Sequence, residues 1–175
     1  MRALLVVDVL VGIFELPVPL HQPDEFLATV RSLVERARRN GVPVIYIHHV
    51  GRPGSPLAHG MPGREIHPAI APRPGDLVIE KLEPDGFHGT ELEAELRKHE
   101  IRELIVCGFA TQDCVDTTVR SAFGRGFAVT LVRGAHTTTA NPVLAADQIV
   151  AHHEFVLQRF GRVVDAAEAG LEPES

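Results

Sequence analysis

The sequence predicts an α/β protein built on a parallel sheet that helices cover on both faces. Short apolar runs rich in branched residues alternate along the chain with segments in which apolar residues recur at helical spacing. Runs that are apolar at every position are typical of strands buried on both faces. A strand–helix–strand order favours parallel pairing with right-handed crossovers, so ligand-binding groups are expected at the carboxyl ends of the strands.

Six segments carry the strand signal and four carry the helix signal. The strand segments are residues 3–9, 42–47, 77–79, 104–107, 128–132 and, more weakly, 163–164. The clearest helix has one apolar stripe, which consists of Phe26, Val30, Leu33, Val34 and Ala37, and Gly41 is the signal at which this helix stops. Further helices are predicted to start near Thr90, after Cys114, and at Asn141, with Pro142 as the first helical residue.

Two stretches are predicted to be irregular. Residues 49–76 contain repeated Pro and Gly without periodicity, and a loop of that length in a compact domain is usually functional or mobile. The residues after Ala166 have the composition of a polar tail that frays. No linker interrupts the pattern, so we expect one domain over residues 1–175.

Composition narrows the range of partners. The chain has 17 basic and 23 acidic residues and no basic stripe that would neutralise a phosphate backbone, so nucleic acid is not an expected partner. The N-terminal apolar run meets Asp8 well short of a membrane-spanning length and lacks a signal-type cleavage pattern. We therefore expect a cytoplasmic protein with no membrane partner, in which Cys107 and Cys114 stay reduced.

Cys114 is the candidate nucleophile. The segment around it indicates a buried strand that ends near Gly108, then a turn and a helix with Cys114 in its first turn. Unpaired N–H groups and the helix dipole stabilise a thiolate at such a position and can hold an oxyanion, so we predict a lowered thiol pKa. A buried structural cysteine is the alternative, and it is the preferred interpretation for Cys107, which lies in mid-strand.

Two charged residues end other strand segments. Asp8 follows the first apolar run and Lys81 follows the third. Each alone has an ordinary explanation, as a turn or capping aspartate and as a solvated lysine. Together with Cys114 they would bring a carboxylate, an ammonium group and a thiol to one edge of the sheet, which is a complete set for covalent hydrolysis.

These residues resemble the isochorismatase-like cysteine hydrolases, a family that includes nicotinamidases and N-carbamoylsarcosine amidases. The resemblance covers roughly residues 3–165, and its matching parts are residues 4–8, Lys81 with 87–92, and 108–115 with Thr118 and Ala122. It implies a Rossmann-like three-layer α/β/α sandwich with a six-stranded parallel sheet. It also implies that Cys114 is the nucleophile, Asp8 the proton shuttle and Lys81 the cation that holds both. A cis peptide between Phe109 and Ala110 is implied as well, which helps aim the oxyanion-hole amides of Ala110 and Cys114. Phe109 and Ala110 are also expected to contact the substrate.

The chain departs from the family pattern at substrate-contact positions. Leu10 stands where many members have glutamine, and Gly134 where many have aspartate. The aspartate of the nicotinamidase metal motif is absent near His48, and the ten histidines show no compact ligand spacing, so we expect no metal and no organic cofactor. Phe14 and Phe87 are candidate walls for a small substrate, with core packing as the alternative.

The predicted activity is hydrolysis of a C–N bond in a small amide or ureido substrate through a thioester on Cys114. Two alternatives stay open: isochorismatase-type hydrolysis of a vinyl ether with Asp8 as the acid, and a thiol-based redox or binding module. Because relatives with this architecture commonly oligomerise, a homo-oligomer is expected. The identity of the substrate does not follow from the sequence.

Overall fold

The computed structural model describes residues 1–172, which form one six-stranded sheet whose paired strands are all parallel. The strands are β1 (Arg2–Val7), β2 (Val44–His49), β3 (Leu77–Lys81), β4 (Glu103–Phe109), β5 (Ala128–Thr137) and β6 (Arg162–Val164). Their order across the sheet is β3-β2-β1-β4-β5-β6. Because the chain order reverses between β1 and β4, the carboxyl ends of these two strands flank the crevice where open α/β sheets bind ligands.

Four helices cover the sheet, namely α1 (Pro23–Arg39), α2 (Leu92–Lys98), α3 (Asp116–Gly124) and α4 (Ala146–Leu157). Alternate residues of β1 divide the core between the two faces. Leu4 and Val6 pack in one apolar cluster with the buried stripe of α1, whereas Leu5 and Val7 pack in a second cluster with α2 and α3. The predicted three-layer α/β/α architecture is therefore confirmed.

Four strands, β2 to β5, extend past the carboxyl ends of their predicted apolar runs. β4 continues to Phe109 and β5 to Thr137, where Gly108 pairs with His136 after a register shift that follows Val106. Apart from Phe109, the residues added to β4 and β5 are small or polar, so the extensions carry no hydrophobic pattern. Backbone pairing between neighbouring strands holds them in the sheet, and sequence periodicity does not report such pairing.

The predicted start of the fourth helix is wrong. The Asn141 side chain accepts hydrogen bonds from the backbone N–H groups of Val143 and Leu144, both at 2.8 Å. Asparagine used in this way closes a local turn, which competes with helix initiation. Helix α4 therefore begins at Ala146, and the Asn141–Pro142 pair belongs to the preceding loop.

The C-terminal segment packs against the sheet, so the predicted fraying tail is wrong for the residues up to Glu172. One turn of 3₁₀ helix spans Ala166–Glu168. Ala169 and Leu171 are then buried in the same apolar cluster as α1. Residues 173–175 of the predicted tail lie outside the described residues. No helix in residues 1–172 is long and apolar enough to cross a membrane.

Candidate active site

Asp8, Lys81 and Cys114 come together at the carboxyl edge of the sheet. Asp8 follows β1, Lys81 is the last residue of β3, and Cys114 lies in the turn between β4 and α3. The Lys81 Nζ is 2.8 Å from Asp8 Oδ2 and 3.2 Å from Cys114 Sγ. Because β2 separates β1 from β3, the long lysine side chain is what spans the distance.

Asp8 is held in an unusual backbone conformation. Its φ is 50°, in the left-handed region that residues other than glycine rarely adopt and that aspartate and asparagine tolerate best. The His49 N–H donates to Asp8 Oδ1 at 2.7 Å, and the Asp8 N–H donates to the Ile47 carbonyl at 2.9 Å. The carboxylate is thus anchored through one oxygen to β2, and its other oxygen faces Lys81.

Lys81 is buried, with 1% of its surface exposed. Besides Asp8 and Cys114, its ammonium group donates to the Glu83 carbonyl at 3.1 Å. Burial by itself lowers a lysine pKa, but the adjacent Asp8 and Cys114 outweigh it and raise the pKa of Lys81 above its usual value. Lys81 is therefore a permanent cation at neutral pH.

The turn that carries Cys114 is constrained on several sides. A π-helical turn spans Thr111–Val115, and such turns are frequent at functional sites. The peptide bond between Phe109 and Ala110 is cis. At Gly108 the φ is +134° and a Cβ would overlap a β1 carbonyl oxygen, so only glycine fits between the strands there.

The predicted lowering of the thiol pKa is wrong. Burial and the Asp8 carboxylate raise the pKa of Cys114 to about 12, although Lys81 opposes them. The physical reason is the charge balance of the cluster. Lys81 is already neutralised by Asp8, so ionising the thiol would leave a net negative charge in a half-buried site. The resting cysteine is therefore a neutral thiol.

A cavity of about 200 Å³ opens at this cluster. Its lining is mostly apolar and consists of Asp8, Leu10, Ile13, His49, Leu57, Pro84, Phe109, Ala110, Asp113 and Cys114. The volume is below the roughly 300–1,000 Å³ of sites for drug-sized ligands, so it suits a small molecule. Phe109 and Ala110, two of the predicted substrate contacts, are in this lining.

The other two predicted contacts, Phe14 and Phe87, do not line the cavity. Phe14 packs on Phe26, with ring centroids 6.2 Å apart, and on His67 at 4.9 Å. Phe87 is buried and stacks on Phe127 at 5.8 Å. Their prediction as walls is corrected to core packing, because aromatic side chains near a site bury their area wherever the fold leaves room.

Several lining residues were not predicted. His49 is the last residue of β2, and Leu57 comes from the long loop that follows it. Asp113 precedes Cys114 in the same turn, and that adjacency was a signal available in the sequence. Leu10, noted for its departure from the family glutamine, does face the cavity.

The histidines do not assemble into a metal-binding cluster in the described part of the chain. No group of three or more His, Cys, Asp or Glu side chains there has the geometry to hold an ion. The His48 Nε2 lies 2.6 Å from the Arg64 carbonyl oxygen, and burial lowers the pKa of His48. His48 therefore ties the loop to β2.

Known proteins are similar to this chain in sequence and in fold. A family model described as the isochorismatase domain matches residues 2–168. The chain belongs to the isochorismatase family. This family member is 38% identical over 137 residues to a streptothricin hydrolase of Streptomyces noursei, covering 78% of this chain and 54% of that protein. It is 32% identical over 126 residues to a ureidoacrylate amidohydrolase of Azorhizobium caulinodans, covering 55% and 56% of the two chains.

The chain spans about half the length of those two relatives. Among solved structures, a cysteine hydrolase from Pseudomonas syringae pv. phaseolicola 1448A is similar over 95% of this chain and 89% of its own. The TM-score is 0.87 at 28% sequence identity. The isochorismatase-family fold described above is therefore shared along nearly all of the chain.

Proposed function

We propose that the protein is a cysteine-dependent hydrolase that cleaves the C–N bond of a small amide or ureido substrate. The observation that carries this proposal is the buried Lys81 ammonium group within hydrogen-bond distance of both Asp8 and Cys114 beside a small apolar cavity. The names of the two relatives, a streptothricin hydrolase and an amidohydrolase, support the same reaction class.

The first step is attack of Cys114 on the substrate carbonyl. Because the high pKa keeps the proton on sulfur in the free enzyme, that proton must leave as the C–S bond forms. Asp8 is the acceptor, since its carboxylate shares the Lys81 ammonium group with the sulfur. The carbonyl oxygen takes up the electron pair, and the backbone N–H groups of Ala110 and Cys114 stabilise it in this proposal.

The second step expels the amine and leaves an acyl group on sulfur. The C–N bond breaks as Asp8 returns its proton to the leaving nitrogen, giving ammonia or an amine and a thioester on Cys114. Asp8 then takes a proton from the water that attacks the acyl carbon and returns it to the departing sulfur as the C–S bond breaks. The products are the free thiol and a carboxylic acid, or a carbamic acid from a ureido substrate, which loses its own proton to solvent. Lys81 stays protonated throughout and holds Asp8 and the sulfur in place.

A homo-oligomeric state and a cytoplasmic location stay predictions.

Intact-protein mass spectrometry during incubation with a library of small amides and ureides tests this proposal. Wild-type protein should gain an acyl mass that hydroxylamine removes, because hydroxylamine cleaves thioesters. Cys114→Ala should show neither the adduct nor turnover. Cys107→Ala is the matched control and should retain both, since Cys107 is fully buried in mid-strand.

Two outcomes would contradict the thiol mechanism. Turnover by Cys114→Ala together with its loss in Asp8→Asn would favour acid-catalysed cleavage of a vinyl ether by Asp8. An adduct that forms on peroxide treatment, in a protein that turns over no amide or ureide, would favour a thiol-based redox role.

A further inference from the structure

The cavity beside Cys114 has an unbalanced charge. Besides Cys114, whose resting thiol is neutral, three of its lining residues can ionise, namely Asp8, His49 and Asp113, and neither arginine nor lysine is part of the lining described for it. The charge of Asp8 is matched by Lys81, which contacts it at 2.8 Å. Burial and the nearby Lys81 lower the pKa of His49, so the imidazole is neutral at pH 7. The charge that remains is the carboxylate of Asp113.

Asp113 is placed to act on a bound molecule. It immediately precedes Cys114 in the π-helical turn and is exposed at the edge of the cavity. No cation within residues 1–172 forms an ion pair with its side chain. Asp116, three residues further on, differs because it is paired with Arg120 at 2.8 Å. The Asp113 carboxylate is thus available to a substrate.

We propose that Asp113 makes this site selective for small amides or ureides that carry a positively charged group, such as a protonated amine, over those that carry a carboxylate. The inference rests on the proposed hydrolysis for its biological meaning, since it names the substrate class. The apolar side chains of Leu10, Ile13 and Leu57 accommodate the carbon skeleton of such a molecule, and Asp113 supplies the countercharge.

The size of the effect follows from Coulomb's law. A unit charge at about 6 Å from a carboxylate, at an effective dielectric of about 40 for an exposed cavity edge, changes a rate about tenfold. A cation should react faster by this factor, and an anion of similar size should react slower by the same factor. The contrast between the two is reduced by salt, because Asp113 is exposed.

Charged thiol reagents measure this selectivity at Cys114 without requiring a substrate. The probes are the trimethylammonium-ethyl and sulfonatoethyl methanethiosulfonates, which are similar in size and opposite in charge. Each rate is divided by the rate with 2-mercaptoethanol, so intrinsic reagent reactivity cancels. The ratio of the two normalised rates also removes the influence of the thiol pKa, which is common to both reagents. The Cys107→Ala background ensures that only Cys114 is modified.

At low ionic strength we expect the wild-type ratio to favour the cationic reagent by about 100-fold, since the two tenfold effects multiply. Asp113→Asn should lower the ratio by about the same factor, and Asp113→Lys should favour the anionic reagent. Asp147→Asn is the matched control, since it removes an exposed carboxylate outside the cavity lining, and it should leave the ratio unchanged. Circular dichroism establishes that each variant is folded.

A wild-type ratio near one, or a ratio that Asp113→Asn leaves unchanged, would overturn the assignment of selectivity to Asp113. Hydrolysis is measured separately with 4-aminobutanamide, pentanamide and glutaric acid monoamide, for which we expect kcat/KM to fall in that order. A charge-selective thiol in a protein that forms no acyl adduct with any amide or ureide would overturn the proposed function and leave the role of Asp113 intact. Acyl adducts that form equally from cationic and anionic amides would support the proposed function and overturn the role of Asp113.

Discussion

Replacing Asp8 by asparagine should make Cys114 easier to ionise while abolishing hydrolysis. In the wild type, burial and the Asp8 carboxylate raise the pKa of the thiol to about 12. Asparagine removes the negative charge but keeps nearly the same shape, and it tolerates the left-handed φ of 50° at this position. The Lys81 cation then favours the thiolate without competition.

The magnitude follows from the distances in the cluster. Asp8 Oδ2 and Cys114 Sγ both lie within 3.2 Å of Lys81 Nζ, so they are at most twice that distance apart. At about 6 Å and an effective dielectric of about 20, two unit charges interact by about 2.8 kcal/mol, which corresponds to about two pH units. The thiol pKa of the variant should therefore fall to about 10.

The assay is the rate of Cys114 alkylation by iodoacetamide between pH 7 and pH 11, followed by intact mass. At pH 8 the variant should react about 100-fold faster than the wild type, because its thiolate fraction is larger by that factor. Asp116→Asn is the matched control and should react at the wild-type rate. The same Asp8→Asn protein should hydrolyse no amide, because the amide side chain cannot accept or return the thiol proton.

Two results would refute this reasoning. An alkylation profile that does not move to lower pH would mean that Asp8 does not raise the thiol pKa. Hydrolysis retained in Asp8→Asn would mean that another group carries the proton.

Three further predictions concern stability and are measured by urea unfolding. Lys81→Met should lower the free energy of unfolding by about 3–5 kcal/mol, because it leaves the buried Asp8 charge unpaired. Adding Asp8→Asn should restore part of this stability, and equal stability of wild type and Lys81→Met would contradict the prediction. Gly108→Ala should lower the free energy of unfolding by at least about 2–4 kcal/mol. Gly41→Ala is the control and should lower it by about 1 kcal/mol, because Gly41 has a positive φ but no atom within 4 Å of an added Cβ. Similar losses at both sites would be evidence against the close strand contact at Gly108. Stability should fall as the pH rises above about 8.5, because the pKa values of Cys107 and Cys114 are raised in the folded protein and the unfolded chain loses these protons first. Cys107→Ala should make the decline less steep, and an unchanged slope would exclude a contribution from Cys107.

The three residues of the cluster could be found from the sequence because each interrupts or follows an apolar run. A charged side chain at the end of an apolar strand segment has few structural uses, and two such positions, together with a cysteine in the turn after a third segment, indicated one edge of a parallel sheet. Strand and helix periodicity also identified the six strands and the stripe of α1. These are local properties, since they depend on which face of an element is buried.

The fourth helix and the C-terminal segment show where local signals fail. Asn141 is as good a turn residue as a helix cap, and only its bonds to Val143 and Leu144 decide between the two. Ala169 and Leu171 are too few to give a periodic pattern, yet they are buried because the α1 face of the sheet leaves space for them.

The sequence by itself determined the fold class and the side chains that form the candidate site. Only the tertiary structure decided the ionisation of Cys114, because its pKa depends on the balance of burial, Asp8 and Lys81 at one point in space. These residues are far apart in the chain, and the distances between their side chains in space depend on strand order and on the lysine reaching across β2. The lining of the cavity is decided in the same way, since side chains from several strand ends and one long loop meet only after the sheet has formed.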